Sequence, residues 1–179
     1  MIRRNFLNLI RLPQTSYVKL IVTIVTACFT IILFSNIDES LQGVQNRNGA
    51  LFFITMTISF NSIQNIILIF PDERPVFLRE VNNNMYSVSA YFFGKVISDL
   101  PASILIPVVF GCIVYFAIGL STHFTYTFFI FLGTLILLYC AAGSYALIIS
   151  TIFSDKQLAV TLTPVLIIPF MLFAGFFVN

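Results

Sequence analysis

Five stretches of this chain, residues 20–37, 49–70, 91–120, 124–153 and 158–178, are long, apolar and almost free of charge. A helix needs about 20 largely apolar residues to cross a hydrocarbon core of about 30 Å, so each stretch is a candidate membrane span. Only the third carries ions, Lys95 and Asp99 near its start. Backbone groups in lipid must satisfy one another, which leaves helices or a closed barrel, and apolar runs this long exclude the alternating strands of a barrel. The expected fold is all-α, a polytopic membrane helical bundle. Composition agrees: 59% of the residues are hydrophobic, 9% are charged, and the mean hydropathy is +0.99. With 21 Phe and no Trp, the aromatic belts at the bilayer surfaces must be built from Phe and Tyr.

Successive loops alternate sides. Arg3, Arg4, Arg11, Lys19, Arg74, Arg79, Lys95 and Lys156 then fall on one side and only Arg47 on the other, so the positive-inside rule places the N-terminus in the cytoplasm. The arm 1–19 alternates Phe6, Leu9, Ile10 and Pro13 with Arg3, Arg4, Asn8 and Arg11 at helical spacing, as in a helix lying on the membrane surface. Its length and the long run behind it do not fit a cleavable signal. The net charge of +2 is too small and dispersed for nucleic-acid binding. Cys28, Cys112 and Cys140 lie in apolar runs and read as packing residues.

Motifs of soluble enzymes are missing: no GxxxxGK[ST], GxGxxG, HExxH or CxxC occurs, and the single histidine, His123, sits in a short turn. No catalytic set and no metal set can be assembled, so these residues carry no motor and no cofactor site of their own. Lys95 and Asp99 stand four apart and can pair on one helix face. Thr55, Thr57, Ser59, Asn61, Ser62, Gln64 and Asn65 make the second run unusually polar. Lipid would not tolerate that streak, which either hydrogen-bonds to other helices or lines a cavity. Gly133 and the cluster 141–144 read as close helix contacts. Pro101, Pro107, Pro164 and Pro169 are expected to kink their helices.

PDERPVFLRE, residues 71–80, gathers five charged residues in a chain with nine basic and seven acidic ones. Pro71 and Pro75 are expected to end the second helix, making 71–88 a cytoplasmic loop with a short apolar step, Val76–Phe77–Leu78, among its charges. That mixture suits docking onto a cytoplasmic partner.

ERPVFLRE with Tyr86, followed by YFFGKVISDLP, IVYFAIGL and the terminal AGFFVN, and preceded by QNRNGALFF, resembles the membrane domain of ABC exporters of the G subfamily, the White/Brown-like half-transporters. The resemblance runs in order along essentially the whole chain. It implies five of an expected six transmembrane helices, with the arm as an interfacial connecting helix. It also implies an ATP-binding domain, where ATP and Mg act, joined to the arm in a longer chain; neither that domain nor the sixth helix lies within these 179 residues. A second half-transporter, as homodimer or heterodimer, is the implied partner.

Residue by residue, the resemblance makes 71–88 the element that meets the ATP-binding domain, through Phe77, Arg79, Glu80 and Tyr86. Phe60, with Thr57 one turn earlier, corresponds to the aromatic that stacks on substrate, with Ile168 and Met171 facing the same cavity. Phe176 and Phe177 correspond to the bulky pair that closes the cavity to the outside. The expected function is substrate translocation in an ATP-driven exporter of lipophilic or amphipathic molecules such as lipids, sterols, pigments or drugs, by alternating access in a dimer. The alternative is a non-transporting membrane scaffold or channel subunit, whose behaviour in any complex would not depend on nucleotide.

Overall fold

The computed structural model describes residues 13–34, 41–119, 125–153 and 155–172. They form five helices: α1 (Pro13–Phe34), α2 (Leu41–Asn82), α3 (Val88–Ile118), α4 (Thr125–Ile152) and α5 (Lys156–Leu172). No strand occurs among the described residues. Helices α1 to α4 are long and apolar enough to cross a membrane. Helix α5 runs for 17 residues, and its expected continuation to 178 lies outside the described residues, as does the arm 1–12.

Helix α2 packs most extensively on α4, while α3 packs on both α1 and α4. Ser62 meets Tyr139, and Ile66 faces Gly143 one turn on, so α2 and α4 run in the same sense. Phe77 against Tyr91 and Glu73 against Lys95 make α2 and α3 antiparallel. The core is narrow. Ala27, Ile54, Ile58, Ile106, Phe110, Val114, Leu135 and Tyr139 form one buried cluster, and Ile63, Ile67, Ala146, Ile149, Ala159 and Ile167 form a second. Large apolar side chains such as Ile32, Phe116, Leu137 and Ile148 point outward, as lipid contact allows.

Several hydroxyls within the spans are satisfied locally, while Ser150 Oγ is buried with no partner among the described residues. Thr23, Thr30, Ser59, Ser98 and Thr163 each donate to the carbonyl four residues back, so these polar side chains enter an apolar medium already paired. Helix α3 ends on Gly119, whose left-handed backbone (φ 67°) directs its N–H to the Tyr115 carbonyl. Asp155 caps α5, its side chain accepting from the Gln157 N–H. Tyr115, Phe116, Phe128 and Phe131 form a continuous aromatic contact near the α3–α4 turn, as the Phe-rich composition predicts.

The expected break at Pro71 does not occur. Helix α2 continues through Pro71 and Pro75 to Asn82, 42 residues in all, and also begins eight residues ahead of the apolar run. Each proline forfeits one backbone bond and crowds the preceding turn. Packing overrides that preference: Pro71 is buried, and the helix beyond it is held by side-chain contacts with α3. Residues 71–82 are therefore a helical extension of the second span, and the only irregular link to α3 is 83–87. The close-contact expectation divides. A Cβ on Gly143 would lie 3.0 Å from Ile66 Cδ1 and 3.2 Å from Ser62 Oγ, whereas Gly133 has nothing within 4 Å. The close approach near it is made by Gly111 instead, where a Cβ would lie 2.7 Å from Leu132 Cδ2.

Candidate functional site

The turn between α2 and α3 is built by its sequence, NNNMYS. Asn84 adopts φ 53°, a left-handed conformation that asparagine tolerates, and the N–H groups of Asn83, Asn84 and Met85 return to the carbonyls of Arg79, Val81 and Glu80. Ser87 then caps α3 by accepting from the Ala90 N–H. This tight reversal lays the first turns of α3 along the last turns of α2.

Three contacts result. Tyr86 donates its hydroxyl to Glu80 Oε2 at 2.6 Å, locking the two sides of the turn. Tyr91 packs against Phe77 with ring centroids 4.4 Å apart and lies nearly parallel to Tyr86 at 6.0 Å. Deeper in the bundle, Lys95 Nζ donates to Glu73 Oε2 at 2.6 Å, and Tyr91 donates to the same oxygen at 3.4 Å.

Of the residues expected to couple, the structure therefore brings Glu80 to Tyr86 directly and Phe77 to both through Tyr91. Arg79 is exposed in the last turn of α2. Lys95 lies 3.7 Å from Asp99 Oδ2 on its own helix, a longer contact than the one to Glu73. Glu73 and Tyr91 were the members that sequence reasoning missed. A same-helix partner for Lys95 is visible at i, i+4, but a partner 22 residues away needs the reversal at 83–87 to be known first. The Lys95 side chain is 15% exposed and that of Glu73 40%, so the pair is partly withdrawn from water and removing either partner leaves the other charge poorly compensated.

The polar streak of α2 serves several directions. Ser62 donates to the Tyr139 carbonyl at 2.7 Å and Asn65 donates to the Tyr139 hydroxyl at 3.2 Å, knitting α2 to α4. Thr55 and Ser59 bond back to their own helix. Gln64 is exposed on the opposite side, and the Asn61 Nδ2 is buried with no partner among the described residues. Phe60 is half-buried against the cluster that contains Ile167 of α5, and Thr57 is half-buried one turn earlier. Ile168 points outward, 48% exposed, and Met171 occupies the last turn of α5. Phe176 and Phe177 lie outside the described residues.

This bundle, with a long second helix extended past its span and locked by ions to the third, has the architecture of a transporter membrane domain. The family model described as "ABC-2 type transporter" matches residues 1–179, and the chain belongs to that family. It is 39% identical over 178 residues to the "Broad substrate specificity ATP-binding cassette transporter ABCG2" of Mus musculus, an alignment that covers 99% of this chain and 27% of that protein. It is 35% identical over 176 residues to "Protein white" of Drosophila melanogaster, covering 98% of this chain and 26% of that one. With "ABC transporter G family member 24" of Dictyostelium discoideum it shares 38% over 182 residues, covering 97% of this chain and 15% of that one. It is thus a membrane domain of the G-subfamily, White-like kind, and it spans about a quarter of the length of the first two relatives.

Proposed function

We propose that this chain is the substrate-translocating part of an ATP-driven exporter of lipophilic or amphipathic molecules, working by alternating access beside a second half-transporter. ATP and Mg would act in an ATP-binding domain of the same longer protein. The observation that carries the reading is the joint at the end of α2, where Glu80–Tyr86 and Glu73–Lys95 tie the extension of one span to the start of the next. A push on that joint moves two spans together. The printed names of the relatives, a broad-specificity ATP-binding cassette transporter among them, support transport as the work done. In this reading Phe77, Arg79, Glu80 and Tyr86 receive the motion, and the joint lies in the cytoplasm. Phe60, Thr57, Ile168 and Met171 face the substrate, and Phe176 and Phe177 close the outer side. Work on a substrate requires that the two states bind it differently, and an aromatic side chain between α2 and α5 supplies an apolar surface that such a movement can cover and uncover.

The test is ATP hydrolysis and ATP-dependent uptake by the full-length protein in inside-out vesicles, with rhodamine 123 and a fluorescent phosphatidylcholine as probes. Glu80→Ala removes the acceptor of the Tyr86 hydroxyl and is expected to lower uptake about fivefold with membrane insertion intact, within the usual range of coupling between sites. Wild-type uptake in Glu80→Ala would defeat the coupling role, and the absence of any nucleotide-dependent behaviour in the wild-type protein would favour a scaffold. Phe60→Ala is expected to change the ratio of uptake of the two probes more than it changes thermal stability. An equal loss for both probes would make Phe60 a packing residue.

A further inference from the structure

Glu73, Phe77 and Glu80 stand at i, i+4 and i+7 of α2, a spacing that puts all three on one helix face. Each meets a residue further along the chain. Glu73 meets Lys95 at 2.6 Å, Phe77 meets Tyr91 with ring centroids 4.4 Å apart, and Glu80 meets Tyr86 at 2.6 Å. The three contacts follow one another as rungs in antiparallel order, with the aromatic one in the middle. Val76 and Leu78, on either side of Phe77, are exposed. The first and last rungs are seven residues apart on α2, about 10 Å along its axis. Pro75 lies between them and removes one backbone bond, so the helix alone is a weakened carrier of movement along this face. Tyr91 touches all three rungs. Its ring packs on Phe77 and lies parallel to Tyr86 within 10°, at 6.0 Å, and its hydroxyl stands 3.4 Å from Glu73 Oε2.

We propose that Tyr91 is a positioning residue of the transport cycle, an aromatic wedge that passes displacement from the Glu80–Tyr86 rung to the Glu73–Lys95 rung. The proposal rests on the exporter reading for its functional meaning, though the three-rung arrangement stands by itself. The ring, not the hydroxyl, does the work. A hydroxyl bound firmly to a carboxylate closes to about 2.5–2.7 Å, and at 3.4 Å the Tyr91 contact is loose, on an oxygen that Lys95 already holds. The ring contact with Phe77 is as close as aromatic pairs come, and such pairs attract beyond the area they bury. A rigid ring packed between α2 and the turn passes a push on, because close-packed side chains transmit strain instead of absorbing it. A flexible aliphatic chain in its place leaves a gap. Tyr86 then still holds Glu80 and Lys95 still holds Glu73, but the two rungs no longer answer to each other.

The experiment uses the full-length transporter in inside-out vesicles. It reads uptake of rhodamine 123 or fluorescent phosphatidylcholine per ATP hydrolysed, a ratio that a mere fall in folded protein does not change. Tyr91→Leu is expected to lower that ratio about fivefold with basal hydrolysis retained. Tyr91→Phe, which keeps the ring and drops the hydroxyl, is expected to stay within about twofold of wild type. Phe77→Leu, which opens the same gap from the α2 side, is expected to lower the ratio to a similar extent as Tyr91→Leu. Links in series fail together, so Tyr91→Leu combined with Glu80→Ala is expected to lose about fivefold as well, not the roughly 25-fold of two independent losses. A wild-type ratio in Tyr91→Leu or Phe77→Leu, or losses that multiply, would overturn the relay. A Tyr91→Phe variant as impaired as Tyr91→Leu would assign the effect to the hydroxyl and overturn the wedge. If the wild-type protein moves neither probe and its hydrolysis responds to neither, the exporter reading fails and the positioning role with it. Melting temperatures of Tyr91→Leu, Phe77→Leu and their combination in detergent still decide whether the two rings pack, through non-additive shifts.

Discussion

Glu73→Gln is expected to reduce ATP-driven uptake by about ten- to a hundredfold while leaving the shape of the site intact, a larger effect than that of any other single change in the joint. Glutamine keeps the size of the side chain and loses its charge, so the result isolates electrostatics from packing. Lys95 donates to Glu73 Oε2 at 2.6 Å and is mostly withdrawn from water. Breaking such a pair leaves the surviving charge without full compensation, at a cost of about 1–3 kcal/mol once the partial exposure of Glu73 is allowed for. Lys95 then has only Asp99, on its own helix, and the one ionic contact across α2 and α3 is gone among the described residues. Tyr91 loses its ionised acceptor at the same time. Glu73→Asp, which keeps the charge at shorter reach, is expected to fall between wild type and Glu73→Gln. Equal uptake by all three proteins would sink the idea that this contact transmits movement.

The second large effect is on folding. Gly143→Val is expected to lower the stability of the membrane domain by about 1–3 kcal/mol and to reduce the amount reaching the membrane. A Cβ there meets Ile66 Cδ1 at 3.0 Å and Ser62 Oγ at 3.2 Å. The isoleucine tip can rotate away, but Ser62 is held by its 2.7 Å bond to the Tyr139 carbonyl. The two γ-methyls of valine therefore push α2 off α4 or break that bond. In lipid the separated helices gain no compensation from water, and close packing between small residues is what holds them together. Gly133→Val is the matched control, since nothing lies within 4 Å of its added carbon. It is expected to be nearly neutral in thermal melting, and equal losses at the two glycines would point to helix propensity or backbone flexibility as the cause.

The all-helical fold was legible because the bilayer imposes a length on every span, and apolar runs report it directly, but the 42-residue extent of α2 was not. The register between helices was not legible in the same way. The streak in α2 had two readings, and only the placement of Tyr139 shows Ser62 and Asn65 turned to α4 with Gln64 turned away. Pro71 and Pro75 carry a strong local preference for ending a helix, and they misled because tertiary contacts outweigh it here. The Lys95–Asp99 spacing was visible at i, i+4, while Glu73, on another helix, was not. Local geometry can be read along a sequence, but charges brought together by a reversal of the chain cannot be matched until the turn is known.

The unbroken length of α2 has a mechanical consequence. At about 1.5 Å per residue its 42 residues extend for about 63 Å, roughly twice the thickness of a hydrocarbon core. Glu80 stands 18 residues beyond Ser62, where the helix is fastened to α4, so the arm from that fulcrum is about 27 Å. A rotation of about 10° there carries Glu80 sideways by about 5 Å, by simple leverage on a rod of that length. Whatever stiffness Pro71 and Pro75 remove from the rod shortens that stroke, so proline content in this segment sets the gearing between displacement at one end and tilt at the other.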